Sequence, residues 1–490
     1  MNYEDKFKKT GPGNYSRFLM DFLIVPLIFF AIAYFVFNKF NRINFIVDDL
    51  DYLPYLKELV STKEGYCSFI QTFAMRAVSF KPMSLGIDWV INFSLFGLNP
   101  HNYHVFNIIL LAVNSGVLYF FIATVFRQRF LGLIISLCYL THPFNIDGMA
   151  WISAGFTSQN VVLFCCLTLI TYFLYLKKLK RHFLYLSYLF FFFAFLSRED
   201  VIMLPLLIVF FLLFLGRWEK TRIKEILGYL AIVTLIMATR YVLLYPHVFE
   251  TYRWDFTNIQ NALLRNKHYL DLAFSPLKNL FGQPGLLEKN KILLILLKTS
   301  VYLFLTPVIF YKIFKYRRSS EIRLLGCGVA WYCLLSIPFN FLIGSGFMDD
   351  RYLSLSIIGI LMAQIAVITI TLKAFLKNPV YIKFILACFS ITLLLTCNYM
   401  IIEGFNKNYW FKSDINNQYY IATINLAIKN NPNIKSIRLA GFPEVERFPQ
   451  RLSLYADYKN LNVTNIAAGE KNEKDNASTL TIKYRKIPCD

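Results

Sequence analysis

The sequence predicts an all-α polytopic membrane protein, with about eleven transmembrane helices and a small α/β appendage at its C-terminal end. Three observations lead there. Hydrophobic residues are 56% of the chain and charged residues 17%, with a mean hydropathy of +0.46, well outside the soluble range. Apolar runs approach or reach the roughly 20 residues that cross a bilayer near 18–38, 103–126, 130–146, 157–176, 226–245, 292–311, 324–343, 352–372 and 384–402. Two shorter runs, 183–197 and 201–216, flank the polar break Ser197-Arg198-Glu199-Asp200. The third observation is the placement of Lys and Arg, which alternates from one connection to the next.

That alternation sets the orientation. With the N-terminus in the cytoplasm, the inner connections carry Lys6, Lys8, Lys9 and Arg17, then Arg127 and Arg129, Lys177, Lys178, Lys180 and Arg181, and Arg217, Lys220, Arg222 and Lys224. Lys312, Lys315, Arg317, Arg318 and Arg323 follow, then Lys373, Lys377 and Lys383. The C-terminus is then extracytoplasmic, and the membrane expected is the plasma (inner) membrane. Arg198 and Arg351 are basic residues of short outer turns, where the charge rule does not ask for them. The first apolar run has no cleavage pattern behind it and is too long for a signal peptide, so it reads as a retained helix.

Topology and attraction to anionic inner-leaflet lipid account for much of the net charge of +21. No aromatic-basic RNA motif accompanies it, so nucleic acid is not an expected partner. The nine Cys show no metal-ligand spacing. Cys138, Cys165, Cys166, Cys327, Cys333, Cys388 and Cys397 fall in apolar runs, where Cys acts as a small hydrophobe. Cys67 and Cys489 are expected outside, where pairing is open to them. The run Phe190 to Phe193 reads as lipid-facing filler, and no repeat of period 20 to 50 is present.

The domain reading is a transmembrane domain over 1–402, with a first outer loop at about 39–102, and a small extracytoplasmic domain over 403–490. In the first loop, Met83 to Leu98 reads as one or two helices lying along the membrane surface. In the tail, 411–430 reads as a helix, and Ile434 to Ala440 and Leu480 to Lys486 as strands.

The first loop also carries NFIVDDLDYLPYLK at 44–57 and, within it, the adjacent acids Asp48 and Asp49. Neighbouring carboxylates repel, so they share a proton, bind a cation or raise one pKa. A solvated cap or turn is the competing reading of the same pair. Other polar residues near expected span ends are Lys81, His104, His142, Asp147, Arg198 with Glu199, and Asp350 with Arg351. Lys81 before Pro82 is either a site residue or an anchor that snorkels. Asp147 is either a turn residue or a site residue. The Arg198–Glu199 and Asp350–Arg351 neighbours are either functional or structural ion pairs. His142 and His104 either hydrogen-bond or join an acid at a metal, without a close-spaced ligand set to favour the metal.

Several strings in order resemble the GT-C superfamily of polyprenyl-phosphate-sugar-dependent glycosyltransferases. The branch is that of protein O-mannosyltransferases, lipid A aminoarabinose transferases and transmembrane O-mannosyltransferases with tetratricopeptide tails. The strings are IVDDLDYL, FKPMSLGIDWVINFSLFGLNPHNYHVFNIILLAVNS at 80–115, THPFNIDGMAWISAGFTSQ at 141–159, FLSREDVIMLPL at 195–206 and DDRYLSLSIIG at 349–359. They cover most of residues 18–375. Three positions depart from the family pattern with the charge sign kept: Lys81 stands for an arginine before proline, Asp147 for a glutamate after His-Pro, and Arg198 precedes Glu199 where relatives show Lys-Glu or Arg-Glu. The tail shows no tetratricopeptide pattern.

The resemblance implies a membrane glycosyltransferase that moves a sugar from a polyprenyl-phosphate donor to an extracytoplasmic hydroxyl of a glycan, lipid or protein, with inversion. Asp48 is then the base, and Asp49 orients it or a divalent cation. Lys81, Arg198 and Arg351 hold the donor phosphate, with His142, Asp147, Glu199 and Asp350 in support. The chemistry agrees: a carboxylate suits proton removal, and Arg or Lys suits a leaving phosphate. Two other classes compete, a transporter or lipid flippase and a non-catalytic membrane scaffold. Against transport, the charges gather at one face rather than the midplane, and no paired, broken helices mark two matching halves.

Overall fold

The apolar runs fold as helices whose lengths follow from where proline, glycine and charge interrupt them. The computed structural model describes residues 13–46, 49, 50, 53, 56, 81–244, 259–276, 319–340, 352–407, 409–430, 436–440, 462–466 and 479–483. Asp48, Asp350, Arg351, Cys67, Cys489 and the run 292–311 lie outside the described residues. In chain order, α1 is Gly13–Phe37, α2 Asp88–Phe96, α3 Pro100–Val125, α4 Arg129–Leu140, α5 Asn145–Ala150, α6 Ile152–Lys178 and α7 Arg181–Ser197. Then come α8 Leu204–Phe214, α9 Ile223–Leu244, α10 Ile259–Ala273, α11 Ser320–Asn340, α12 Leu353–Phe375, α13 Pro379–Lys407 and α14 Tyr409–Asn430.

Among the described residues, 6 helices are long and apolar enough to cross a bilayer: Ile24–Arg42, Pro100–Val125, Ile152–Lys178, Ser320–Phe339, Leu353–Phe375 and Pro379–Asn406. The protein is a multi-pass, helical membrane protein. Some expected spans are shorter than their apolar runs. Helix α4 has 12 residues and rises only about 18 Å. It stops because Pro143 restricts His142 and supplies no N–H to continue the ladder. Helix α8, of 11 residues, begins at the Leu204-Pro205 start and ends at Gly216, whose φ of 65° terminates it.

Polar side chains knit the spans together where lipid offers no partner. The Asn114 amide donates to Oε1 of Gln159 at 2.7 Å and to its carbonyl at 2.8 Å, and the Asn107 amide donates to the Ile152 carbonyl at 3.3 Å, so α3 is bonded to α6 along its length. Helices α11 and α12 approach through glycine, since a Cβ at Gly328 would lie 2.6 Å from the Gly359 carbonyl oxygen. Trp331 seals the same contact by donating to the Leu355 carbonyl at 2.7 Å. Phe191 corrects the lipid-filler reading: it is buried edge-on against Tyr229, while Phe190 and Phe193 lie on Phe164.

The segment between α1 and α3 joins a second core, in which Phe45, Leu50, Leu53, Trp89, Tyr103 and Phe156 meet. The stretch expected along the membrane surface is a π-helical segment, Pro82–Ile87, followed by α2, and α2 buries Asp88, Trp89, Asn92 and Phe93. The π-helical segment packs on α6 and α7. The stretch turns its polar residues inward and leaves Ile87, Ile91 and Leu95 exposed. In the tail, α14 and two strands stand where expected, β1 Ser436–Ala440 and β3 Thr479–Lys483, and β2 Asn462–Ile466 was not anticipated. All three pair in parallel, with β1 in the centre.

The α11–α12 crossing yields a first prediction. Gly359→Leu places a branched side chain against backbone with no room to yield, and is expected to cost about 1–3 kcal/mol or more. Thermal unfolding of the purified protein in detergent measures it; a melt like the parent's would mean the two helices do not touch there.

Candidate active site

Helix α6 begins with no side-chain cap of its own, since Trp151 fills the cap position. The N–H groups of such a first turn need acceptors. Asp49 supplies one from 104 residues away in sequence: its Oδ1 accepts from the Ser153 N–H at 2.9 Å and from the Ser153 hydroxyl, and its Oδ2 accepts from the Ile46 N–H at 3.2 Å. Asp49 is fully buried. A carboxylate at this position also meets the positive end of the helix dipole. The segment around it is tied a second time by His104, whose ring nitrogens lie 2.8 Å from the Met149 carbonyl and 2.9 Å from the Ile43 carbonyl.

The second polar cluster gathers at the end of α7. Arg198, 1% exposed, forks onto Asp200, with Nε to Oδ1 at 3.1 Å and Nη2 to Oδ2 at 2.6 Å. Nη1 donates to the Ser354 hydroxyl at 2.9 Å and Nη2 to the Tyr352 carbonyl at 3.2 Å. The guanidinium lies over the Phe339 ring, 4.7 Å from its centroid. The ion pair is therefore Arg198 with Asp200, not with Glu199, which instead opens the helical turn Glu199–Met203. The i+2 spacing decides this, because Arg198 is extended and carries its side chain past its immediate neighbour. Lys81, half-buried, is near enough for its charge to act on Asp200. Lys81, Arg198 and Asp200 are thus brought together, and Arg198 holds the chain at Tyr352, directly after Arg351.

The remaining expected residues divide. His142 is buried and spent on the backbone, its Nδ1 accepting from the Phe144 N–H at 3.2 Å and its Nε2 lying 3.3 Å from the Ala273 carbonyl. Burial pushes its pKa down to about 4, so the ring is neutral at physiological pH. Asp147 is half-buried in the first turn of α5. Among the described residues, no three His, Cys, Asp or Glu side chains converge to hold a metal.

Four polar residues escaped the sequence reading: Ser153, Asp200, Asp88 and Asn160. Asp88 is buried, accepts from the Asn160 amide, and is pushed up to about 7 by loss of solvent. A signal was present, because Ser84, Asp88 and Asn92 recur every fourth residue and so share one helix face.

Residues 82–245 match the family model described as dolichyl-phosphate-mannose-protein mannosyltransferase, a stretch running from Pro82 through α9. The match covers about a third of the chain and is a likeness to that family over this stretch. No curated protein matches the chain's sequence. Its structure is similar to the crystal structure of ArnT from Cupriavidus metallidurans bound to undecaprenyl phosphate, at 10% identity and a TM-score of 0.46 over 87% of this chain and 84% of that one. A likeness of that size is too loose to carry residues from one chain to the other.

The Arg198 cluster makes a second prediction. Asp200→Asn leaves a buried guanidinium without its counter-charge and is expected to cost on the order of 3–5 kcal/mol. Replacing both members, Arg198→Met with Asp200→Leu, is expected to cost less than either single change. Denaturation of the three variants decides it, and additive losses would mean the pair is not coupled.

Proposed function

We propose that the protein transfers a sugar from a polyprenyl-phosphate donor to a hydroxyl of an acceptor on the outer side of the membrane. The family match supports the class. The observation that carries the residue assignment is the enclosure of Asp49 at the start of α6, which ties the acidic pair to the bundle end where Lys81 and Arg198 also lie. Asp48 is the base. It takes the acceptor's hydroxyl proton as that oxygen attacks the anomeric carbon; the carbon–phosphate oxygen bond breaks, and the phosphate departs with the bonding pair. Attack from the side opposite the phosphate inverts the anomeric centre.

Asp49 is a holder rather than an actor, because both its oxygens accept hydrogen bonds and no surface of it is exposed. Lys81 and Arg351 are the cations for the departing phosphate. Arg198 serves them by position: with its fork taken by Asp200 and its remaining contacts reaching Ser354 and Tyr352, it fixes the chain that follows Arg351. Glu199, Asp350, Asp147 and His142 support the same outer surface.

Two predictions test this reading. Asp48→Asn keeps shape while removing basicity, and is expected to lower turnover of purified protein by about 10²- to 10⁴-fold with donor binding retained; turnover within a few-fold of the parent would remove Asp48 as base. Orientation is tested separately by accessibility tags. Tags at Lys178, Lys220 and Arg317 are expected to report the cytoplasm, and tags at Lys63, Lys278 and Asn472 the outer side. A cytoplasmic Asn472 would mean an even number of spans and would overturn the outer placement of the tail.

A further inference from the structure

Asp88 has no part in the mechanism above, yet its surroundings are built around it. It opens α2 directly after the π-helical turn that begins at Pro82, next to Lys81, and that turn lies between α6 and α7. Its Oδ2 accepts from the side-chain amide of Asn160. Asn160 follows Ser153 by seven residues, which is two turns along the same face of α6, about 10 Å further from the outer end. The two carboxylates, Asp49 and Asp88, thus hold one helix face at two heights. Polar atoms around Asp88 are incompletely paired. The Asn92 amide group donates to the Asp88 carbonyl at 2.8 Å, while Asn92 Oδ1 and Ser84 Oγ, both on buried residues of the same face, have no hydrogen-bond partner among the described residues.

We propose that Asp88 is a positioning residue for Lys81: through Asn160 it fixes the turn that carries Lys81 to the same face of α6 that Asp49 caps. The proposal rests on the reading of Lys81 as a phosphate holder. A proton on the acid would add a donor to a face where Asn92 Oδ1 lacks one. Burial drives it that way and raises its pKa to about 7, with the Asn160 hydrogen bond pulling in the opposite direction. The ionisable groups on the packed elements are Lys81 on its own segment, His101 and His104 on α3, and Arg198, Glu199 and Asp200 at the end of α7. On α6 the charged residues are Lys177 and Lys178 at the far end. The shift has burial and Asn160 as its causes, not these charges.

The folded acid keeps its proton to higher pH than the unfolded chain does. Its stabilising linkage is therefore complete below the ordinary carboxylate range and is lost as pH rises through about 7. Asp88→Asn mimics the protonated acid and keeps an acceptor for Asn160. Asp88→Leu and Asn160→Leu each remove the contact, so either one serves if the other fails to fold.

The full-length purified protein is assayed by its melting temperature across pH and by binding of a polyprenyl phosphate. Asp88→Asn is expected to melt closest to the parent at and below about pH 4, to rise above it as pH climbs through about 7 and to stay above it near about pH 9, and to bind the lipid phosphate within about twofold of the parent. Asp88→Leu and Asn160→Leu are expected to weaken binding by about tenfold, and to add little once Lys81→Ala is present. Parallel melting curves for the parent and Asp88→Asn would overturn the proposal, as would equal losses from Asp88→Asn and Asp88→Leu. A Lys81→Ala loss that simply adds to the Asp88→Leu loss would overturn the positioning role alone. Unchanged binding in Lys81→Ala would overturn the phosphate role of Lys81 and the positioning role with it.

Discussion

A carboxylate sealed against the start of a membrane helix organises this end of the protein. Helix α6 begins without a cap of its own, and bare N–H groups in a buried first turn are costly. Asp49 removes that cost only if the first outer loop comes back across the helix end. The loop then has somewhere to build its own core, in which Phe45 meets Tyr103 edge-on and Trp89 lies tilted against both near the first turns of α6. The interaction is local in space and remote in sequence, so losing it would release the loop and uncap the helix at once. Ser153 contributes both its N–H and its hydroxyl, and only a residue with both donors so close together could satisfy one carboxylate oxygen in this way.

The same economy governs the positive charges. A guanidinium inside a membrane protein must be neutralised and fully hydrogen-bonded. Arg198 meets that demand through Asp200, Ser354, Tyr352 and an aromatic face, which makes it a joint between the end of α7 and the start of α12. At the other end of α6, Glu225 plays the matching part. It accepts from Tyr172 and Tyr175 at 2.8 Å each and pairs with Arg222 at 2.8 Å, drawing α9 onto α6. Each end of α6 is thus secured by a carboxylate from a different part of the chain, and the helix works as the post to which other elements are tied.

The helical, multi-pass membrane class was legible in the sequence, because it depends on apolar length. Pairings were less so. Arg198 has acids at the next two positions, and hydropathy cannot say that an extended backbone directs its side chain to Asp200. Asp88 was hidden for a different reason: its stretch looks amphipathic, and composition does not say whether the polar side faces water or a neighbouring helix. Asn160 made that choice, and it lies 72 residues further on. The strand Asn462–Ile466 was missed because its flanking asparagines read as turn residues, whereas Val463, Thr464 and Ile466 fit a parallel ladder beside β1.

Two adjacent aspartates suggest equal partners, and the enclosure of one of them argues for a division of labour. A general base needs contact with the proton it removes and an oxygen free to receive it. Asp49 offers neither, because its oxygens accept from Ser153 and Ile46 and its surface is wholly covered. Under the proposed function its contribution is geometric: it is fixed to the first turn of α6, beside the residue proposed as the base. Catalytic rate depends steeply on such placement, since a reacting group held loosely forfeits much of the advantage of being held at all. On this account a buried acid that never touches substrate is what makes its neighbour a useful base.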